Sequence, residues 1–214
     1  MKDKRLERII SLIPFGASLI DVGCDHGYVG LYMASKGSKV LFTDIHPNAL
    51  NKARENALNS GIDALYLCTD GLNGIDLDNY QVIVIAGMGF HTIKHILNPY
   101  LNLLRDKTLI LESNNDLDKL REYLIKNNFK IHEYLVKERK KYYVIFKVMD
   151  GKDEYTKEEY FLGKFNKDNL DYYKYLLGEY TKIYESIPDD NKKKNEVLEK
   201  INIINSFIER TLEN

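Results

Sequence analysis

A parallel α/β sheet finished by an antiparallel hairpin, followed by a small helical hairpin, is the fold this sequence predicts. Three observations carry it. Short apolar runs at 19–22, 40–43, 64–68, 82–86 and 109–111 alternate with helix-compatible stretches, as in a parallel sheet with crossover helices. Two β-prone runs, 130–136 and 141–149, then follow with no helix between them, so they pair antiparallel. Lastly, Leu170, Tyr173, Leu177, Tyr180 and Tyr184 recur at helical spacing, as do Val197, Ile201, Ile204 and Ile208 beyond a Pro188-Asp189-Asp190-Asn191 turn. Two such helices form an αα-hairpin. We therefore expect one domain over 1–150 and a coiled-coil-like helical hairpin over 151–214.

The chain opens with Leu6, Ile9, Ile10 and Ile13 at helical spacing, stopped by Pro14 and Gly16. The first strand, Leu19–Val22, runs into Gly23-Cys24-Asp25-His26-Gly27 and then a helix to about Ser35. This turn is D-x-G-x-x-x-G (Asp21, Gly23, Gly27), not the G-x-G-x-x-G of pyrophosphate binders. Glycine lets a ligand approach the backbone, and in doubly wound sheets ligands lie at this end of the strands. An acid at Asp25 repels a pyrophosphate but suits a cationic ligand carrying a ribose and an amino acid tail, such as S-adenosylmethionine (SAM).

The second strand ends at Asp44, 21 positions after Gly23. That is near the ~20-residue offset at which an acid meets ribose hydroxyls, and it favours ribose binding over capping of the next helix. The third strand ends in Thr69-Asp70-Gly71, where Asp70 either accepts from an adenine amino group or simply forms the turn. The fourth, buried strand ends in Gly87-Met88-Gly89-Phe90, and the fifth in Glu112-Ser113-Asn114-Asn115. Asp116 is expected to cap the helix that follows. The two hairpin strands are joined by Lys137-Glu138-Arg139-Lys140.

Composition narrows the class. The 214 residues are 44% hydrophobic and 29% charged, which describes a soluble globular protein. No run approaches a membrane span, and the N-terminus has no signal-peptide block. Cys24 and Cys68 offer neither metal spacing nor a disulfide framework, so a cytoplasmic setting without a metal is expected. The net charge of -1 hides an uneven distribution. Between Lys119 and Lys147 stand nine Lys or Arg (119, 121, 126, 130, 137, 139, 140, 141, 147) against three acids, and the N-terminal helix adds Lys2, Lys4, Arg5 and Arg8. This is either a phosphate-binding rim or an ordinary solvated surface. Residues 151–214 hold 11 basic and 14 acidic side chains, so they are no basic arm.

The residues I-P-x-G-A (13–17), D-V-G-C-D-H-G-Y (21–28), Asp44, T-D-G-L (69–72), I-A-G-M-G (85–89) and E-x-x-x-x-E-x-x-K-Y-Y (133–143) together resemble the bacterial tRNA (adenine-22)-N1-methyltransferase family, TrmK, along the whole chain. The resemblance implies a class I Rossmann-like methyltransferase sheet, SAM as methyl donor and tRNA as partner, and a monomer is expected. It places Asp21, Gly23, Asp25, His26 and Gly27 in the SAM turn, and Asp44 on the ribose. Asp70 and Gly71 would lie by the adenine of SAM, and Gly87, Met88 and Gly89 between donor and target base. Arg5, Asp25, His26 and Tyr28 become candidates for the target-base pocket, with Arg5, Asp25 and Tyr28 as the catalytic set. Tyr28 or Phe90 would stack on the base or belong to the core. This chain departs from the family pattern at Phe90, where a second glycine is usual, and at Glu112-Ser113-Asn114, where Q-P-N is usual. Two other readings are a SAM-dependent methyltransferase of a small molecule, and a non-catalytic RNA-binding module on a SAM fold. A nicotinamide oxidoreductase is disfavoured by the absent G-x-G-x-x-G.

Overall fold

The computed structural model describes residues 3–213. Seven strands form one sheet in the order β3-β2-β1-β4-β5-β7-β6. They are β1 (Leu19–Val22), β2 (Val40–Asp44), β3 (Leu65–Cys68), β4 (Val82–Met88), β5 (Thr108–Ser113), β6 (Phe129–Glu138) and β7 (Lys141–Asp150). The first five pair in parallel, and β7 inserts antiparallel between β5 and β6. The expected sheet with its closing hairpin is therefore what forms.

Helix α1 (Lys4–Ser11) precedes β1, and α2 (Tyr28–Ser35), α3 (Pro47–Asn59), α4 (Phe90–Leu97) and α5 (Leu117–Lys126) are drawn from the stretches between strands. Burial on both sheet faces follows from this layering, and β1, the first four residues of β2 and the first four of β4 are buried throughout. Asp3 caps α1 by accepting from the backbone N–H groups of Arg5 and Leu6.

Strand order reverses between β1 and β4, because the chain moves from β1 outward through β2 and β3 and then returns to β4. The register Asp21↔Val84 and Val22↔Ile85 brings the turn after β1 beside the end of β4. This switch point is where open α/β sheets bind ligands.

Two local expectations need correction, and one helix was not expected. The hairpin loop is only Arg139-Lys140, with Arg139 at φ +56°; Lys137 and Glu138 remain in the ladder opposite Tyr142 and Lys141. Charge alone made them look like loop. Asp116 occupies the position before α5 but in a left-handed conformation (φ +49°), makes no cap and instead pairs with Lys119 at 2.7 Å. A helix α6 (Lys157–Leu162), not foreseen, is started by a capping box in which Thr156 and Glu159 satisfy each other's backbone N–H. Its signal, T-x-x-E, stands in the sequence.

The chain divides into two compact units, one ending at Glu154 and the other beginning at Tyr155. In the second, α7 (Leu170–Ser186) and α8 (Lys193–Leu212) pack around Tyr173, Ile204 and Phe207, with the Tyr173 and Phe207 rings edge to face at 5.4 Å.

Candidate active site

Backbone conformation builds the turn after β1. Gly23 (φ +66°), Asp25 (φ +44°) and Gly27 (φ +72°) are all left-handed, and two of the three are glycine for that reason. Gly23 and Cys24 donate their N–H groups to the Thr43 carbonyl, which ties the turn to β2. Beneath it, the Asp21 carboxylate accepts from the Gly30 N–H at 3.0 Å inside α2. Burial pushes this carboxyl up to about 7, with the Gly30 N–H opposing. Asp21 therefore sits under the turn, while Asp25 and His26 stand on its open side. The Asp25 carboxylate is mostly exposed and lies 3.6 Å from both His26 Nε2 and Lys52 Nζ. His26 stacks on Tyr28 (centroids 5.5 Å apart, planes 11° apart), and Tyr28 is 53% exposed, so its ring has surface to offer.

Asp44 accepts from the His46 N–H at 2.8 Å through one oxygen at the carboxyl end of β2, which shapes the turn into α3; that helix has no side-chain cap, so the capping alternative is not what forms. Asp70 lies 3.2 Å from His95 Nε2, beside a cleft of about 210 Å³ whose lining includes Asn73, Ile96 and Tyr100. Gly71 (φ +59°) packs against Ile96.

Side-chain hydrogen bonds build the other half of the site. Gly87 is the extra residue of a bulge between Ala86 and Met88, at φ +78°. Its N–H donates to Glu112 Oε2 at 2.9 Å, and its carbonyl accepts from Asn114 Nδ2 at 2.7 Å. Arg5 Nη1 donates to the same Glu112 oxygen at 2.9 Å, while its guanidinium lies 5.4 Å from the Tyr143 ring centre. Asn115 Oδ1 accepts from the Phe90 N–H, which fixes the start of α4 beside Gly89. Met88 then reaches toward β1: its terminal methyl occupies the place a Cβ on Gly23 would take, 2.0 Å away. Gly23 is required by its own φ, and a Cβ there would also push the flexible Met88 methyl aside.

The structure brings Gly23, Gly87 and Met88 together, and gathers Asp25, His26 and Tyr28 into one cluster. Arg5 belongs to a second cluster, with Glu112, Gly87 and Tyr143. Phe90 is buried against Tyr123 and belongs to the core. Sequence reasoning missed Glu112 and Asn114 as site builders, although they stand where the family pattern was seen to break.

The basic segment resolves unevenly. Arg121 is wholly buried and bonds Glu133 through Nε (2.9 Å) and Nη2 (2.7 Å), so this pair leaves the rim. Lys126 pairs with Glu122 at 2.7 Å. Lys130, Lys137, Arg139, Lys140 and Lys141 are exposed. Helix α1 packs on β6 and β7, with Arg8 5.5 Å from the Tyr134 ring centre. Lys2 lies outside the described residues. Among the described residues, no group of three or more His, Cys, Asp or Glu could hold a metal ion, and no helix is long and apolar enough to cross a membrane.

Switch point, glycine turn and the 3-2-1-4-5-7-6 order define a class I methyltransferase architecture. The chain belongs to the methyltransferase-domain family, whose model matches residues 2–146. Within it the similarity is to TrmK. The tRNA (adenine(22)-N(1))-methyltransferase of Bacillus subtilis (strain 168) is 32% identical over 148 residues, which are 66% of this chain and 62% of that protein. Sp1610 of Streptococcus pneumoniae, solved in complex with S-adenosyl-L-methionine, superposes with a TM-score of 0.87 at 27% identity, covering 97% of this chain and 100% of that one. TrmK of M. capricolum, solved with S-adenosyl-homocysteine, gives 0.82 at 26% identity over 96% of each chain.

Proposed function

We propose that this protein transfers a methyl group from SAM to N1 of an adenine in tRNA, the expected nucleotide being position 22. The observation that carries the reading is the meeting of Gly23 with Met88 at the switch point, in a chain that follows a SAM-bound relative over 97% of its length. Asp25, His26 and Gly27 line the donor turn with Gly23, and Asp21 braces it from below. Asp44 takes the ribose hydroxyls and Asp70 with Gly71 the adenine. Gly87, Met88 and Gly89 separate donor from acceptor.

Adenine N1 carries a lone pair at neutral pH, so attack on the sulfonium methyl needs no general base. The C–S bond breaks as the N–C bond forms, and S-adenosylhomocysteine leaves. Rate enhancement then comes from in-line positioning and from electrostatics. The methylated base is cationic, and the Asp25 carboxylate supplies the counter-charge. N1 lies on the Watson–Crick edge, so the base must leave its stack, and the exposed Tyr28 ring receives it. Arg8 on α1, with the exposed cations of the β6–β7 hairpin, favours phosphates around that base, while Arg5 is held on Glu112.

The test is methyl transfer from labelled SAM to unmodified bulk tRNA, followed by nucleoside analysis. A 1-methyladenosine peak that disappears in Asp25→Ala is expected. A protein that binds SAM yet leaves tRNA unlabelled would end the tRNA reading and turn the search to small-molecule acceptors.

A further inference from the structure

We infer that Glu112 is a positioning residue that locks the wall between donor and acceptor, by holding the Gly87 peptide and the Arg5 guanidinium on one carboxylate oxygen. The inference rests on the methyl-transfer reading for its kinetic consequence, but not for its geometry.

Glu112 is 1% exposed, and carboxylates at that depth are kept only where partners compensate them. Both of its partners belong to the site. The Gly87 N–H and Arg5 Nη1 each reach Oε2 at 2.9 Å. Asn114 holds the opposite end of the same residue through the Gly87 carbonyl. A left-handed bulge glycine has many conformations open to it, and here both its polar groups are fixed by the end of β5. Met88 is the next residue, and its methyl stands on Gly23 in the donor turn. A continuous series of contacts therefore runs from α1 through Arg5, Glu112, Gly87 and Met88 to the turn after β1. Glu112 acts through Arg5 and Gly87, and its charge is what draws two donors to one oxygen. A glutamine whose amide oxygen takes the place of Oε2 still faces both donors but carries no charge, so the substitution keeps the shape and removes the charge assistance on which the two bonds depend.

The experiment is a double-mutant cycle of Glu112→Gln and Arg5→Ala, with an independent backbone probe. We expect Glu112→Gln to lower kcat about tenfold or more while SAM Kd stays within about twofold. Arg5→Ala should fall comparably, and the double variant should lie within about twofold of the worse single, because both remove one interaction. Wild-type kcat in Glu112→Gln, or two losses that multiply, would overturn the inference. The backbone probe is Gly87 amide exchange by NMR, which needs no tRNA. It should quicken about tenfold or more in Glu112→Gln, with the Ile83 and Val84 amides of β4 unchanged. An unaltered Gly87 amide also overturns the inference, and unchanged β4 amides exclude general unfolding. If the wild-type protein labels no tRNA but the Gly87 amide responds, the acceptor reading falls and the positioning role stands.

Discussion

The turn after β1 and the paired ends of β4 and β5 face the same switch point but are built by opposite means. The turn is made of backbone: three consecutive odd positions in left-handed conformation, two N–H groups tied to the Thr43 carbonyl of β2, and functional side chains left exposed. The β4–β5 side is made of side chains: Glu112, Asn114 and Asn115 each reach back to fix a backbone group of residues 87–90. A wall of the first kind fails when a Cβ is added, and a wall of the second kind fails when a polar atom is removed.

The largest expected effect tests the backbone side. A Cβ on Gly30 would lie 2.3 Å from Phe42 Cε1 and 2.9 Å from Val40 Cγ1, both fixed in the core under the turn. Gly30→Ala should therefore cost ~3 kcal/mol despite alanine's better helix propensity, because a packed interior yields little to one added methyl. Urea denaturation measures it. A loss below ~0.5 kcal/mol would mean that Phe42 and Val40 yield to the added methyl and that α2 packs on β2 more softly than the contact distances imply.

The next effect separates support from ligand contact within the same turn. Burial raises the Asp21 carboxyl to about 7, above the 3.8 of an ordinary aspartate. Between those values the folded chain holds a proton that the unfolded chain has released, so stability falls as pH rises through the window. Asp21→Asn keeps an oxygen for the Gly30 N–H and removes the titration. It should flatten the pH dependence between pH 4 and pH 7.5 and stabilise the protein by ~2 kcal/mol at the upper end, after discounting for relaxation around a buried charge. Melts at the two pH values decide it. SAM affinity should hardly change; a large loss would move Asp21 from support to ligand contact.

How much of this was legible follows from the same contrast. Gly23 and Gly27 announced the turn because left-handed backbone leaves a mark in composition. The strand alternation gave the sheet, and the missing helix before residue 141 gave the hairpin. Glu112 carried no such mark, because its partners lie 25 and 107 positions away and only the register Ala86↔Glu112 brings them near. Arg121 shows the reverse error: it counted as a rim cation until Glu133, across the α5–β6 turn, took it into the core. Long-range pairing decides both, and local pattern contains neither.

A smaller effect bears on Asp44, whose turn contact with His46 and expected ribose contact are compatible. The bond to His46 uses Oδ1 and leaves Oδ2 for a hydroxyl. Asp44→Ala should weaken SAM about tenfold by calorimetry, ~1.4 kcal/mol. Unchanged affinity, with lowered stability alone, would leave Asp44 only the turn contact.

The smallest effect sharpens the side-chain wall itself. Asn114→Ala removes the bond to the Gly87 carbonyl but leaves the Asn114 N–H on the Met88 carbonyl at 2.9 Å. Asn114 is exposed, so water can replace the lost amide, and the cost should be ~1 kcal/mol in stability with a two- to threefold loss in kcat, roughly the worth of one neutral hydrogen bond. Glu112→Gln, which disturbs a buried and charge-assisted pair, should cost more in kcat. If Asn114→Ala proves the more damaging of the two, the Gly87 carbonyl rather than its N–H is the group the reaction depends on, and the wall is held from the solvent side.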